Sequence, residues 1–83
     1  MEIRNKSEIT IGLYENYNLQ VVGKTAIYYS ELFKEEHDII THITIIKTDT
    51  NETVYSEVLE NNFIYMHNFY KCIDEILFYF SHN

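Results

Sequence analysis

Residues 38–59, DIITHITIIKTDTNETVYSEVL, hold two β-prone runs around a short polar interruption. Asp38–Thr48 and Thr53–Leu59 are rich in Ile, Val, Thr and Tyr, whose branched or aromatic side chains pack well on a pleated surface. Between them Asp49-Thr50-Asn51 supplies a three-residue loop, and Asn51 can take the left-handed conformation that closes such a turn. An antiparallel hairpin with this loop sets Ile46 opposite Val54, Ile45 opposite Tyr55, Ile43 opposite Glu57 and His42 opposite Val58. Simple alternation then places Ile39, Ile43 and Ile45 on one face and Ile40 and Ile46 on the other. Apolar residues on both faces mark a central strand covered on both sides, and a second subunit is a candidate for one cover.

Working outward toward the N-terminus, Glu8–Tyr14 alternates Ile9, Ile11 and Leu13 with Thr10, Gly12 and Tyr14, the pattern of a half-buried strand. Residues 1–7 read as a polar lead-in. The polar run Glu15–Asn18 turns the chain into Leu19–Val22, a second hairpin. Residues 25–36, TAIYYSELFKEE, carry conflicting preferences: Ile-Tyr-Tyr favours a strand, and the Ser-Glu-Leu-Phe-Lys-Glu-Glu half favours a helix. A strand from about Thr25 to Leu32 is expected.

Toward the C-terminus, Phe63, Met66, Tyr70, Ile73, Leu77 and Phe80 recur at heptad-like spacing, joined by Phe69 and Ile76. That spacing predicts a helix from about Asn61 or Asn62, either a natural N-cap, to Phe80. The expected architecture is therefore α+β: one domain over residues 1–83, with an antiparallel four- to five-stranded sheet and one long C-terminal helix packed on one face. The far side of that helix carries Tyr65, Cys72 and Tyr79 among Asn68, Lys71 and Glu75. A helix apolar around so much of its circumference needs contacts beyond one sheet face. Tyr65, Cys72 and Tyr79 are accordingly the candidate dimerisation residues of a homodimer.

Val21-Val22-Gly23-Lys24-Thr25 matches the tail of a nucleotide-binding loop, G-x-x-x-x-G-K-[ST]. The loop's first glycine, which lets the backbone curl around phosphates, is replaced by Asn18. The intervening Leu19, Gln20, Val21 and Val22 extend the chain where a phosphate cradle needs it to bend. The sequence reads instead as a strand, Leu19–Val22, ended by a glycine-lysine turn.

Composition narrows the function classes. A net charge of −7 over 83 residues repels nucleic-acid backbones and anionic membrane surfaces and attracts basic protein surfaces. Direct nucleic-acid binding is disfavoured; a partner that itself binds nucleic acid is not. No run approaches the length of a membrane span. Cys72 is the single cysteine and no apolar N-terminal segment is present, so a reducing cytoplasm is the expected compartment.

Candidate chemistry is thin. His37 and His42 point to opposite faces of a strand, and His67 and Cys72 lie about 140° apart on a helix, poor geometry for a metal or a nucleophile–base pair. Glu35/Glu36 and Asp74/Glu75 are adjacent residues whose side chains diverge, with no apolar pocket to raise a pKa. No catalytic, metal or cofactor residues are assigned, and the expectation is a non-enzyme.

The acidic residues have a second use. Glu31, Glu35, Glu36 and Asp38 cluster around the central loop, and Asp49, Glu52, Glu57 and Glu60 decorate the later hairpin and its exit. Same-face strand positions recur at about 6.7 Å, close to the spacing of successive phosphates. Carboxylates on a sheet can thus occupy a basic, nucleic-acid-binding groove, with Tyr28 and Tyr55 as interface anchors. In overall profile the chain is similar to the small acidic inhibitors that phages and mobile elements carry against bacterial defence nucleases, including anti-CRISPR proteins, and to toxin-neutralising immunity proteins. That resemblance implies a stoichiometric inhibitor. The acidic and tyrosine pattern itself supplies the expected partner, a nuclease or other protein with a basic surface, and the candidate contacts Glu31, Glu35, Glu36, Asp38, Tyr28, Tyr55 and Glu57. The alternative is an oligomer holding a small ligand between subunits in a pocket lined by Tyr28, Tyr29, His42 and Tyr55, with Lys24 or Lys47 supplying basic charge.

Overall fold

The computed structural model describes residues 2–59 and 62–82, with residues 2–6 described as backbone only. Four strands run antiparallel in chain order: β1 (Glu2–Tyr14), β2 (Leu19–Ser30), β3 (Glu35–Lys47) and β4 (Thr53–Val58). A two-residue strand, β5 (Ile64–Tyr65), pairs with β3 beyond the end of β4, and α1 (Met66–Ser81) follows it directly. The protein thus has the α+β architecture expected, an antiparallel sheet with a C-terminal helix against it.

The turns use the chemistry available without proline. A single 3-10 turn, Glu15–Tyr17, joins β1 to β2 and ends on Asn18 at φ 55°. Asn51 closes the β3–β4 turn at φ 60°, its N–H donating to the Lys47 carbonyl at 2.8 Å. Asparagine tolerates this left-handed region better than other side chains.

β2 does not stop at Gly23-Lys24. It continues to Ser30, and Gly23 pairs with Ile9 on one side and Ile43 on the other, without a positive φ. The glycine is there for space. A Cβ at this position would sit 2.5 Å from Cδ1 of Ile11 and 3.1 Å from the His42 carbonyl oxygen. β1 also begins earlier than Glu8, pairing Glu2 with Tyr29.

The expected facing of β3 is corrected by a bulge. Lys24 pairs with His42 but Thr25 pairs with Ile40, leaving Thr41 as an extra residue. Such an insertion shifts the alternation by one position. Ile40 therefore joins Ile43 and Ile45 in the core under the helix, while Ile39 turns to the other face, and both are 0% exposed. The Thr41 hydroxyl donates to the Lys24 carbonyl at 3.3 Å, and the Thr41 carbonyl accepts the Leu59 N–H at 2.8 Å. In the second hairpin Ile45, Ile43 and His42 pair with Tyr55, Glu57 and Val58 as expected. Ile46 pairs with Thr53 instead of Val54, because Val54 is the extra residue of a second irregularity.

The helix begins at Met66, not at Asn61 or Asn62; Asn61 lies outside the described residues. Ile64 and Tyr65 are β-prone, and the backbone of Ile40 and Ile39 captures them as β5 before helix can form. Phe63 consequently leaves the helix face and rests on Tyr28, ring centroids 5.0 Å apart. From Met66 onward Phe69, Ile73 and Leu77 are buried against Leu19, Val21, Ile40, Ile43 and Ile45. Each such side chain contributes about 1.5–3 kcal/mol of burial. No helix among the described residues is long and apolar enough to cross a membrane.

The sheet outruns its helix. Sixteen residues of α1 reach about 24 Å at ~1.5 Å each. The 12 residues of β2 and 13 of β3 reach about 40 Å at ~3.3 Å each. The molecule measures 42 × 21 × 17 Å. The β2–β3 hairpin thus projects past the N-terminal end of α1 and finishes in the turn of residues 31–34.

Candidate partner-binding surface

The strand expected to reach about Leu32 ends at Ser30, and Glu31–Lys34 form the turn. The segment with conflicting preferences is therefore a junction: its Ile-Tyr-Tyr half lies in β2, and Glu35 and Glu36 open β3. Lys34 takes φ 53°, the left-handed residue that closes the turn. Buried Ser30 accepts the Phe33 N–H on its hydroxyl at 3.3 Å, tying the tip to the strand end.

This turn presents two large apolar side chains to solvent. Leu32 is 84% exposed and Phe33 is 68% exposed. Glu31, Glu35, Glu36 and Asp38 are all exposed around them. Glu35 approaches His37 Nε2 at 3.6 Å. Glu36 and Asp38 line a shallow depression with His37, Met66, His67 and Tyr70. The first helical turn lies there, an end that favours carboxylates. Part of this acidic cluster therefore complements the helix as well as facing outward. Leu32 and Phe33 were not among the candidate residues of the sequence. A Leu-Phe pair enclosed by acids at an α/β junction is the signal that marks them.

The other candidates separate by face. Strand register places Tyr28, His37, Ala26 and Ile39 opposite the helix side. Tyr28 stacks there on His37 at 6.5 Å, and Tyr65 joins them, 5.1 Å from His37 and 5.7 Å from His67. Tyr55 and Glu57 lie on the helix side, roughly 17–23 Å along β3 from Asp38 at ~3.3 Å per residue. The Tyr55 hydroxyl donates to the Glu57 carboxylate, and its ring meets Phe80 at 5.0 Å. Tyr28 thus belongs with the acidic arm, while Tyr55 and Glu57 form a second locality.

The four residues of the ligand alternative divide in the same way. Tyr28 and His42 lie on the face away from the helix, where His42 contacts the Ser56 hydroxyl at 3.2 Å; Tyr29 and Tyr55 lie on the helix side. No cavity described within one chain gathers all four. Of the candidate dimerisation residues, Cys72 and Tyr79 are exposed and two helical turns apart on one flank of α1. Tyr65 sits in β5 on the opposite sheet face. The Cys72 thiol donates to the Asn68 carbonyl at 3.3 Å, a bond internal to its own helix. Among the described residues no group of three His, Cys, Asp or Glu is placed to hold a metal ion.

Among the described residues, Tyr14 is the group whose acidity shifts. Its ring lies over Gly12, whose Cβ position is 2.5 Å from Tyr14 Cε2. Burial, then the nearby Tyr70 and Asp74, push its phenol above the ordinary value of 10.0. Comparison with protein-family models, curated protein sequences and solved structures finds no match to this chain.

Proposed function

We propose that the protein is a small, acidic, non-enzymatic inhibitor or adaptor that docks on a basic protein surface, acting by steric block or nucleic-acid mimicry. Its partner is a nuclease or another nucleic-acid-binding protein, met in the cytoplasm, in keeping with the profile of phage-type anti-defence inhibitors. The observation that carries this reading is the β2–β3 tip, where exposed Leu32 and Phe33 stand among Glu31, Glu35, Glu36 and Asp38. Exposed apolar anchors inside a charged rim match the anatomy of a protein interface, an apolar centre within a polar rim, in which a few desolvated side chains supply most of the affinity. The surrounding carboxylates steer the encounter. Self-association into a homodimer belongs to the same reading.

The test places a photo-crosslinking phenylalanine analogue at Phe33, identifies the captured protein, and measures binding with both partners purified. Association should be fast and should slow with added salt, because steering is screened beyond about 8–10 Å at physiological ionic strength. Glu35→Gln with Glu36→Gln should lower the association rate with little effect on the fold. Leu32→Ser with Phe33→Ser should instead raise the dissociation rate by a factor equivalent to about 2 kcal/mol or more. A partner that binds both double variants with unchanged rates across a salt series would refute the proposal.

A further inference from the structure

The sheet has two edges, and they are finished differently. β1 is broken by two register shifts, between Arg4 and Ser7 and between Thr10 and Gly12. Among the described residues, β4 ends the strand order and pairs only with β3. Its outer side therefore points a row of backbone N–H and C=O groups away from the sheet. Proteins blunt such edges with lysine, proline or bulges. The β4 sequence TVYSEV has no lysine or proline, and its register break lies at Val54, leaving Tyr55–Val58 regular.

Beside that edge runs an apolar groove of about 240 Å³ between β4 and α1, floored by Ile43 and Ile45 and walled by Tyr55, Cys72, Ile76 and Phe80. Glu57 stands on its rim. Tyr79 on α1 and Val58, which faces away from the helix in β4, are each 61% exposed.

β4 is complementary to itself. A twofold axis through Ser56 would set Tyr55 of each copy opposite Glu57 of the other, a hydroxyl donor against a carboxylate, twice over. The same two groups already bond along the strand. An axis through Glu57 would instead oppose two carboxylates, which is destabilising in a cross-strand pair. A patch that satisfies itself under twofold rotation is what a closed dimer requires.

We propose that β4 pairs antiparallel with β4 of a second copy about an axis at Ser56. The two sheets become one, and the two grooves join into a channel between the helices. Cys72 and Tyr79 flank that channel, and Val58 lies along the seam on the face away from the helices. This seam rests on the homodimer reading above and is independent of the basic partner.

Light scattering of the wild type at micromolar concentration should give twice the chain mass. Val58→Lys should restore the single-chain mass, whereas Leu13→Lys on the opposite edge, at a position 58% exposed, should leave the dimer intact. Cross-linking checks the register without relying on a destabilising change. Directly opposed strand residues have Cα atoms about 4.5–5.5 Å apart, inside the ~4.4–6.8 Å reach of a disulfide. Ser56→Cys in a Cys72→Ser background should therefore oxidise to a covalent dimer, and Leu13→Cys in that background should not. A wild type of single-chain mass, even if the groove then takes a peptide or small molecule, overturns both the homodimer and the seam. A dimeric wild type that resists Val58→Lys and does not cross-link at Ser56→Cys overturns the seam alone.

Discussion

Deleting Thr41 should be tolerated far better than deleting Thr44, three positions along the same strand. Thr41 is the extra residue of the β3 bulge, 7% exposed. With Thr41 removed, regular alternation from Ile43 through His42 to Ile40 and Ile39 leaves each side chain on the face it already occupies. What is lost is the 3.3 Å bond from the Thr41 hydroxyl to Lys24 and the 2.8 Å bond from Leu59 N–H to the Thr41 carbonyl. At a net ~0.5–1.5 kcal/mol each, the cost is about 1–3 kcal/mol. Deleting Thr44 shifts the alternation where no bulge compensates. If the Thr41 bulge persists, Ile43, Ile40 and Ile39 all change face. If the bulge anneals out, Ile43 still turns outward and His42 turns inward. The lost isoleucine packing alone costs about 2–5 kcal/mol, and burying an unsatisfied imidazole adds about 1–3 kcal/mol. Domains have about 0.05–0.15 kcal/mol of stability per residue. For 83 residues that is about 4–12 kcal/mol in total, so the Thr44 deletion should approach or exceed it. Urea unfolding followed by circular dichroism gives both values. Loss of cooperative unfolding on deleting Thr41, with Thr44 deletion equal or milder, would refute the bulge assignment.

Three further outcomes follow from single positions. Phe69→Ala, at a side chain 1% exposed in the centre of the core, should cost about 3–5 kcal/mol in the same unfolding assay. Asn51→Val should cost about 1–2 kcal/mol by forcing a β-branched residue to φ 60°, while Asn51→Gly should stay near wild type. Stability should fall as pH rises past 10, because the folded state holds the Tyr14 proton more tightly than the unfolded chain does. That contribution is fully present below the unfolded value and is lost as pH climbs through the raised one. Tyr14→Phe should flatten this part of the alkaline decline when unfolding is measured across a pH series.

By itself the sequence determined those features that depend on near neighbours. Alternating branched residues and the turn chemistry of Asn51 settle the 38–59 hairpin, and the four-residue recurrence of Phe69, Ile73 and Leu77 settles the C-terminal helix. Asn18 in place of the loop's first glycine, together with the sheet-forming Leu19–Val22, excludes a phosphate loop. Tertiary structure decided matters in which a residue answers to a distant one. Alternation alone sets Ile39 and Ile40 on opposite faces, and only the extra residue Thr41 decides that Ile40, not Ile39, joins Ile43 and Ile45 under the helix. Ile64 and Tyr65 fit a helix by periodicity, but an open stretch of β3 takes their hydrogen bonds first. Leu32 and Phe33 look like core residues in a one-dimensional reading. They stand in solvent because β2 and β3 run past the end of α1, leaving no helix to cover the tip.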